Sequence, residues 1–273
     1  MRLLFLGDVM GRAGRDAVAE RLPGLIANHG FDFVVINGEN ASHGKGLTES
    51  HFRGLRDAGA DIVTLGDHAF DQREALSYIA REPALIRPLN FAPGTPGRGA
   101  MLAEGRNGHR VLVVNALGRV FLPPIDDPFR AVEAAIAACP LGEQADAVIV
   151  DFHTEATSEI QAMGYFLDGR ATLVVGTHTH IPTSDHRILK GGTALMADAG
   201  MCGDFDSIIG TEADEPLNRF LTGIPNGRFS PAEGEATLCG VAVETDPRTG
   251  LARYVAPVRV GGVLAQALPD FPA

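Results

Sequence analysis

Apolar residues along the chain come in short blocks that alternate with amphipathic stretches. RLLFLG (2 to 7), FDFVVING (31 to 38) and DIVTLG (61 to 66) are short and rich in residues that suit a buried strand, so each predicts one. GRAGRDAVAERLPGLIANHG (11 to 30), TESHFRGLRDAGA (48 to 60) and DQREALSYIAR (71 to 81) read as helices between and after them. This β-α-β-α order predicts a largely parallel, buried sheet with helices packed against it. Further strands are expected at VLVVNAL (111 to 117), AVIVDF (147 to 152), TLVVGT (172 to 177), TLCGVAVET (237 to 245) and RYVAPVRV (253 to 260). The last two follow one another without a convincing helix between them, which predicts antiparallel pairing at the end of the chain. Residues 87 to 109 and 203 to 236 break the rhythm with Gly, Pro and Asp, and loops of that length are expected to be lids or edges of a site. There is no internal repeat, and residues 1–273 are expected to form a single domain.

Composition narrows the class. With 45% hydrophobic and 21% charged residues, and no run of about 18 apolar positions, the chain reads as a soluble protein without a membrane span. Gly7 and Asp8 interrupt the apolar N-terminus too early for a signal peptide. Cys139, Cys202 and Cys239 are scattered, with no C-x-x-C, which suits a reducing, cytoplasmic setting. A net charge of -11 argues against stable binding to duplex nucleic acid or an anionic membrane. A small anionic substrate stays compatible, because bound cations reverse the local potential.

The candidate chemistry lies where those strands end. Asp8 follows RLLFLG, Glu39 and Asn40 follow FVVING, Asp67 and His68 follow IVTLG, His153 follows AVIVDF, and His178 and His180 follow TLVVGT. In open α/β sheets the carboxyl ends of the strands are where ligands bind, so residues distant in sequence converge on one rim. Singly each has a plainer reading: Asp8 as a helix cap, Glu39 as a solvated carboxylate, His153 as a core histidine. Together they predict a metal site. If the H-x-H segment is extended, His178 and His180 turn both rings to one side, towards one point. Mixed carboxylate and imidazole donors point away from structural zinc and towards iron, manganese or zinc in an open two-metal site.

GDVMGRAGR, NGENASHGKG, LGDHAFD, DFHTEATSE and GTHTHIPTSD, followed by DAGMCG and SIIG, occur in order between residues 7 and 210. In these motifs the chain resembles the YmdB-like branch of the bacterial calcineurin-type metallophosphoesterases. The resemblance implies an α/β fold, a four-layer αββα sandwich with two mixed central sheets, and two divalent metal ions, iron or manganese or else zinc. By position it implies that Asp8 and His180 hold the first metal, with Asn40 as an additional ligand. Asp67, His153 and His178 would hold the second, Glu39 would bridge both, and His68 would face the scissile phosphate unligated. Two departures stand out. Met10 occupies the histidine position of the wider superfamily's first motif, and Asp67 replaces the usual asparagine. The extra charge of Asp67 is expected to tighten the second metal and to make a bridging hydroxide harder to form.

The resemblance also implies hydrolysis of 2′,3′-cyclic nucleotides to 3′-nucleotides by a metal-bridging hydroxide, with His68 as general acid to the leaving alkoxide. Ser42, His43 and Lys45, in the glycine-flanked turn, are candidates for substrate contacts. Thr154, Glu155 and Ser158, near His153, either support the site residues from behind or cap the helix that follows, and capping is the favoured reading. Alternative readings on the same residues are a phosphomonoesterase or protein phosphatase, or a slow-turnover regulatory protein that binds a nucleotide. A homo-oligomer is expected from the resemblance.

Overall fold

The computed structural model describes residues 1–272 and builds two sheets, each from strands of both directions. In the first, β1 (Arg2–Leu6), β2 (Phe33–Asn37) and β3 (Ile62–Thr64) run parallel, linked by helices α1 (Gly11–His29) and α2 (Glu49–Asp57). In the second, β5 (Arg110–Leu117), β6 (Ala147–His153), β7 (Leu173–Thr177) and β9 (Ala194–Met196) run parallel. Edge strands β4 (Ala100–Glu104) and β8 (Arg187–Ile188) are antiparallel to their neighbours. The chain returns to the first sheet through β10 (Gly203–Asp204), β11 (Ala236–Thr245) and β12 (Ala252–Val260), each antiparallel to its neighbour, and for β11 and β12 the absence of a helix between them predicted this.

Strand periodicity explains the layers, because successive side chains alternate between faces. Leu4, Leu6, Val34 and Ile36 face α1 and α2, whereas Leu3, Phe5, Phe33 and Val35 face the other sheet. The second sheet answers with Val111, Val113, Ile149, Leu173 and Val175 towards the first. Its Leu112, Val114, Val148 and Val150 face α4 (Pro128–Ala138) and α5 (Thr157–Phe166). Three apolar clusters separate four layers, which is the αββα sandwich that the motifs implied. No described helix is long and apolar enough to cross a membrane.

Three expectations change. The helix expected over 71–81 is one turn, α3 (Ala75–Tyr78): Gln72 Nε2 donates to the Ser42 and Lys45 carbonyls, tying this segment to the 42–46 turn. Residues 87–109 are less a lid than a sheet edge, since 100–104 pair with β5. Within 203–236, α6 (Asp214–Thr222) forms, and this segment does border the site. Helix α5 is the one expected after His153, whereas α4 has no counterpart among the expected elements. For α4 a signal was present, because Asp127 caps it through the Phe129 and Arg130 amides with Pro128 at its start.

Candidate metal centre

Along the faces that meet between the sheets, apolar side chains give way to polar ones at the strands' carboxyl ends. Phe33 and Val35 are followed by Asn37, Ile149 by Asp151 and His153, and Val175 by Thr177. These residues bond across the gap. Asn37 Nδ2 donates to Asp151 Oδ2 at 3.1 Å, and the Thr177 hydroxyl donates to Asp151 Oδ1 at 2.7 Å. Thr177 Oγ1 lies 2.8 Å from His153 Nδ1 and accepts its proton. That relay leaves His153 Nε2 turned into the site, 3.1 Å from both Glu39 Oε1 and Asp67 Oδ1.

The same division of labour recurs at the other two histidines. His178 Nε2 donates to Glu155 Oε2 at 3.2 Å, which leaves Nδ1 turned inward, 3.1 Å from His153 Nε2 and 3.5 Å from Asp67 Oδ1. His180 Nδ1 donates to the Ile209 carbonyl at 2.8 Å, so its Nε2 lone pair faces Asn40 Oδ1 at 3.3 Å. Asn40 is itself oriented, because its Nδ2 donates to the Gly44 carbonyl. A lone pair facing a carbonyl oxygen holds no proton to share, and such pairs are stable only around a cation. Asp8 adds the strongest sign: fully buried, it accepts the His178 amide on Oδ2, while Oδ1 has no hydrogen-bond partner. A buried carboxylate oxygen left bare costs on the order of 1–3 kcal/mol or more, which a metal ligand would recover.

Glu39, Asp67, His153 and His178 thus form one cluster, their candidate donor atoms all within 4.8 Å of one another. Asp8 adjoins it, with Oδ1 3.9 Å from His153, and Asn40 and His180 pair alongside. The two histidines of the H-x-H segment therefore aim at different partners, not at one point. The segment is not extended: His178 has φ 104 and His180 φ 67, left-handed values that cost on the order of 1–3 kcal/mol each. Asp198 imposes this turn, accepting Thr179 N and Oγ1 on one oxygen and Gly200 N on the other. The sequence reading passed over Asp198, and over Asp151, whose signal was a carboxylate inside an apolar strand two residues before a histidine. It assigned Glu155 to capping. Instead α5 begins at Ala156 without a side-chain cap, Glu155 holds His178, and Thr154 bonds Glu159.

His68 stands at the rim, with Nδ1 2.9 Å from Asp71 Oδ2 and Nε2 3.8 Å from Asp67 Oδ2. A cavity of ≈ 430 Å³ opens over Glu39, Asn40, His178 and His180, with His68 and Lys45 on one side and residues of 208–229 on the other. Of the turn residues expected to meet substrate, Lys45 lines this cavity. Ser42 does not: it is buried, its hydroxyl bonded to His51 Nδ1 and to Thr48 N. His43 is exposed and points elsewhere than into the cavity lining.

Electrostatics follow from burial. Desolvation pushes Asp8 up to about 6, with Glu39 adding to the rise, and Asp151 also to about 6. Burial and the charge of Asp8 push Asp198 up to about 7. Burial would lower His153, but Glu39, Asp67 and Asp8 around it raise it well above the ordinary imidazole value. Glu39 and Asp67, which burial alone would raise, are held below the usual carboxylate range by His153 and, for Asp67, His178. Burial lowers His180, keeping its imidazole neutral. In the metal-free protein a proton on His153 does what a cation would do.

These shifts give a pH dependence with a definite sign. Asp8, Asp151 and Asp198 keep protons in the folded state that the unfolded chain releases, so their contribution declines as pH rises from about 4 to about 7. The raised His153 contributes fully below its ordinary value of 6.5 and is lost as pH climbs through its folded value. Glu39 and Asp67 act oppositely at the acid end, and His180, lowered by burial, acts oppositely up to its ordinary value of 6.5, one group against the four that dominate the trend. Chelator-treated protein should therefore melt at a higher temperature near about pH 5 than near about pH 8. A melting temperature flat or rising over that interval would contradict the assignment.

The chain is similar over most of its length to known proteins. A 2′,3′-cyclic-nucleotide 2′-phosphodiesterase of Bacillus subtilis is 47% identical over 249 residues, 91% of this chain and 93% of the relative. Among solved structures, a hypothetical protein of Thermus thermophilus superposes with TM-score 0.88 at 43% identity, covering 96% of this chain and 100% of that one. A phosphatase of Mycoplasma pneumoniae does so with TM-score 0.88 at 34% identity, covering 96% and 93%. The family profile described as YmdB-like protein matches residues 4–258, nearly the whole described length, and the chain belongs to that family.

Proposed function

We propose that this protein is a phosphodiesterase that hydrolyses 2′,3′-cyclic nucleotides to 3′-nucleotides at a two-metal site, with the whole chain acting as one domain. The observation that carries the reading is the convergence of the inward ring nitrogens of His153, His178 and His180 on Glu39, Asp67 and Asn40, with the bare Asp8 oxygen beside them. The named activity of the Bacillus subtilis relative supports the choice of substrate. Asp8, Asn40 and His180 would hold one ion and Asp67, His153 and His178 the other, with Glu39 shared. Oxygen and imidazole donors suit iron, manganese or zinc. Such a pair supplies an acidified water and a Lewis-acid clamp on phosphoryl oxygens.

The chain's own residues do the rest. The Thr177–Asp151 relay, Glu155 and the Ile209 carbonyl fix which nitrogen of each imidazole faces inward. Lys45, on the cavity wall, offers a positive charge to the phosphate. Asp71 accepts from His68 Nδ1, so Nε2 is the atom that delivers a proton to the departing 2′-oxygen.

His68→Asn tests that role. Turnover of 2′,3′-cyclic AMP, whose alkoxide must be protonated to leave, should fall about 10²- to 10⁴-fold with bound metal unchanged. An ester of p-nitrophenol, which leaves without help, should lose far less. Equal losses on both substrates would make His68 an orienter of Asp67. The reading as a whole rests on initial rates with 2′,3′-cyclic AMP against 3′-AMP in metal-reconstituted protein, with the product identified by chromatography. Release of 3′-AMP supports the diesterase, and release of phosphate from 3′-AMP alone makes the protein a monoesterase.

A further inference from the structure

The cavity over the donor cluster has two chemically different halves. Its floor and one side are polar: Glu39, Asn40, His178 and His180, with His68 and Lys45 at the rim. The rest of the lining is Met10 and residues of 208–229, which apart from Thr211 are apolar, with Ile209, Pro216, Phe220 and Phe229 bordering the same space. Phe220 is 83% exposed and Phe229 48% exposed, although both border a polar site. Large apolar rings left in water beside a functional cavity mark a surface that is covered in use.

Phe229 is also held in place. Arg219 lies over one face of its ring, 4.1 Å from the centroid, and Arg219 is fixed by Glu215 Oε1 at 2.6 Å and by the Gly227 carbonyl at 2.9 Å. Glu215 also accepts the Asn226 amide, so the loop after α6 is tied back to the helix. One face of the ring is thus occupied by a guanidinium while the ring borders the cavity.

We propose that Phe220 and Phe229 form a base-stacking wall that receives the nucleobase of the substrate while its phosphate lies over the donor cluster; this rests on the phosphodiesterase reading above. The cavity's ≈ 430 Å³ falls within the range of about 300–1,000 Å³ of small-molecule sites. An occupant matched to both halves has an anionic end and a flat, apolar end, joined by a short polar link, which describes a nucleotide. Thr211 is the one polar side chain on that wall, so base edges are hardly read. Every base has a face to stack, so all four nucleotides are accepted, purines with the lower KM.

The test compares 2′,3′-cyclic AMP with an abasic analogue, methyl ribofuranoside 2′,3′-cyclic phosphate, in metal-reconstituted protein. In the wild type, kcat/KM should favour the nucleotide. In F220A and F229A that preference should fall about tenfold, through KM and not kcat, and in F229W it should return. Equal kcat/KM for the two substrates in the wild type, or a preference untouched in both alanine variants, overturns the stacking wall and leaves the diesterase standing. Turnover of neither substrate by the wild type overturns both. A fall in oligomer mass for F220A with the preference unchanged would make this face a contact between copies, and would also overturn the proposal.

Discussion

Asp8→Asn is expected to abolish turnover, by about 10³-fold or more, while making the metal-free chain harder to melt. The two effects have one cause. Asp8 is fully buried, one of its oxygens has no partner, and burial lifts its carboxyl from 3.8 to about 6. At neutral pH the folded metal-free protein must therefore hold a charge that it would shed if it could, at a cost of at most about 3 kcal/mol. Asparagine keeps the shape and removes that charge, so thermal melts after chelation should shift upward. It also removes a donor that a cation requires, so the rise in melting temperature on adding Mn²⁺ should shrink or vanish. If Asp8→Asn kept the full metal-induced rise, Asp8 would not be a ligand and the first metal position would fall.

Gly66→Ala should be nearly as damaging to activity for a purely steric reason. Gly66 precedes Asp67, and a methyl group there would run into Glu39 Oε2 and the His153 ring, both buried and mutually bonded. Overpacking of this kind costs about 1–3 kcal/mol, and here the displaced atoms are the donors themselves. We expect a lowered melting temperature, little metal-induced stabilisation, and turnover reduced about 100-fold or more. Gly54→Ala is the control, since a Cβ at that helical position meets nothing within 4 Å and should be neutral or slightly stabilising. Metal binding and turnover near wild type in Gly66→Ala would mean that the strand end yields more easily than its packing indicates.

Most strands of both sheets were legible from alternation and branched side chains, and the residues that the structure gathers into one cluster were legible from their position just past those strands. What escaped depended on partners remote in sequence. The aim of His178 and His180 is set by Asp198, 18 to 20 positions away, which no local pattern reveals. Glu155 resembled a cap because it precedes a helix, yet a histidine from the next strand takes its carboxylate. The expected helix at 71–81 has adequate local propensity, and the 42–46 turn overrides it by capturing Gln72. Strand β4 hid inside a glycine- and proline-rich stretch because its pairing with β5, not its own composition, makes it a strand.

The candidate donors are divided between the two sheets. Asp8, Glu39, Asn40 and Asp67 all arise from the first sheet and precede residue 68, whereas His153, His178 and His180 arise from the second. During synthesis the early portion emerges offering oxygen atoms alone, and nothing in it presents an imidazole to them in the folded arrangement. In the proposed metal centre a cation that requires both donor types would accordingly be taken up last, once the two sheets have closed on each other. In the proposed site its uptake would then be a signature of finished folding, because the first sheet is itself completed only when β10, β11 and β12, from the last part of the chain, join β1.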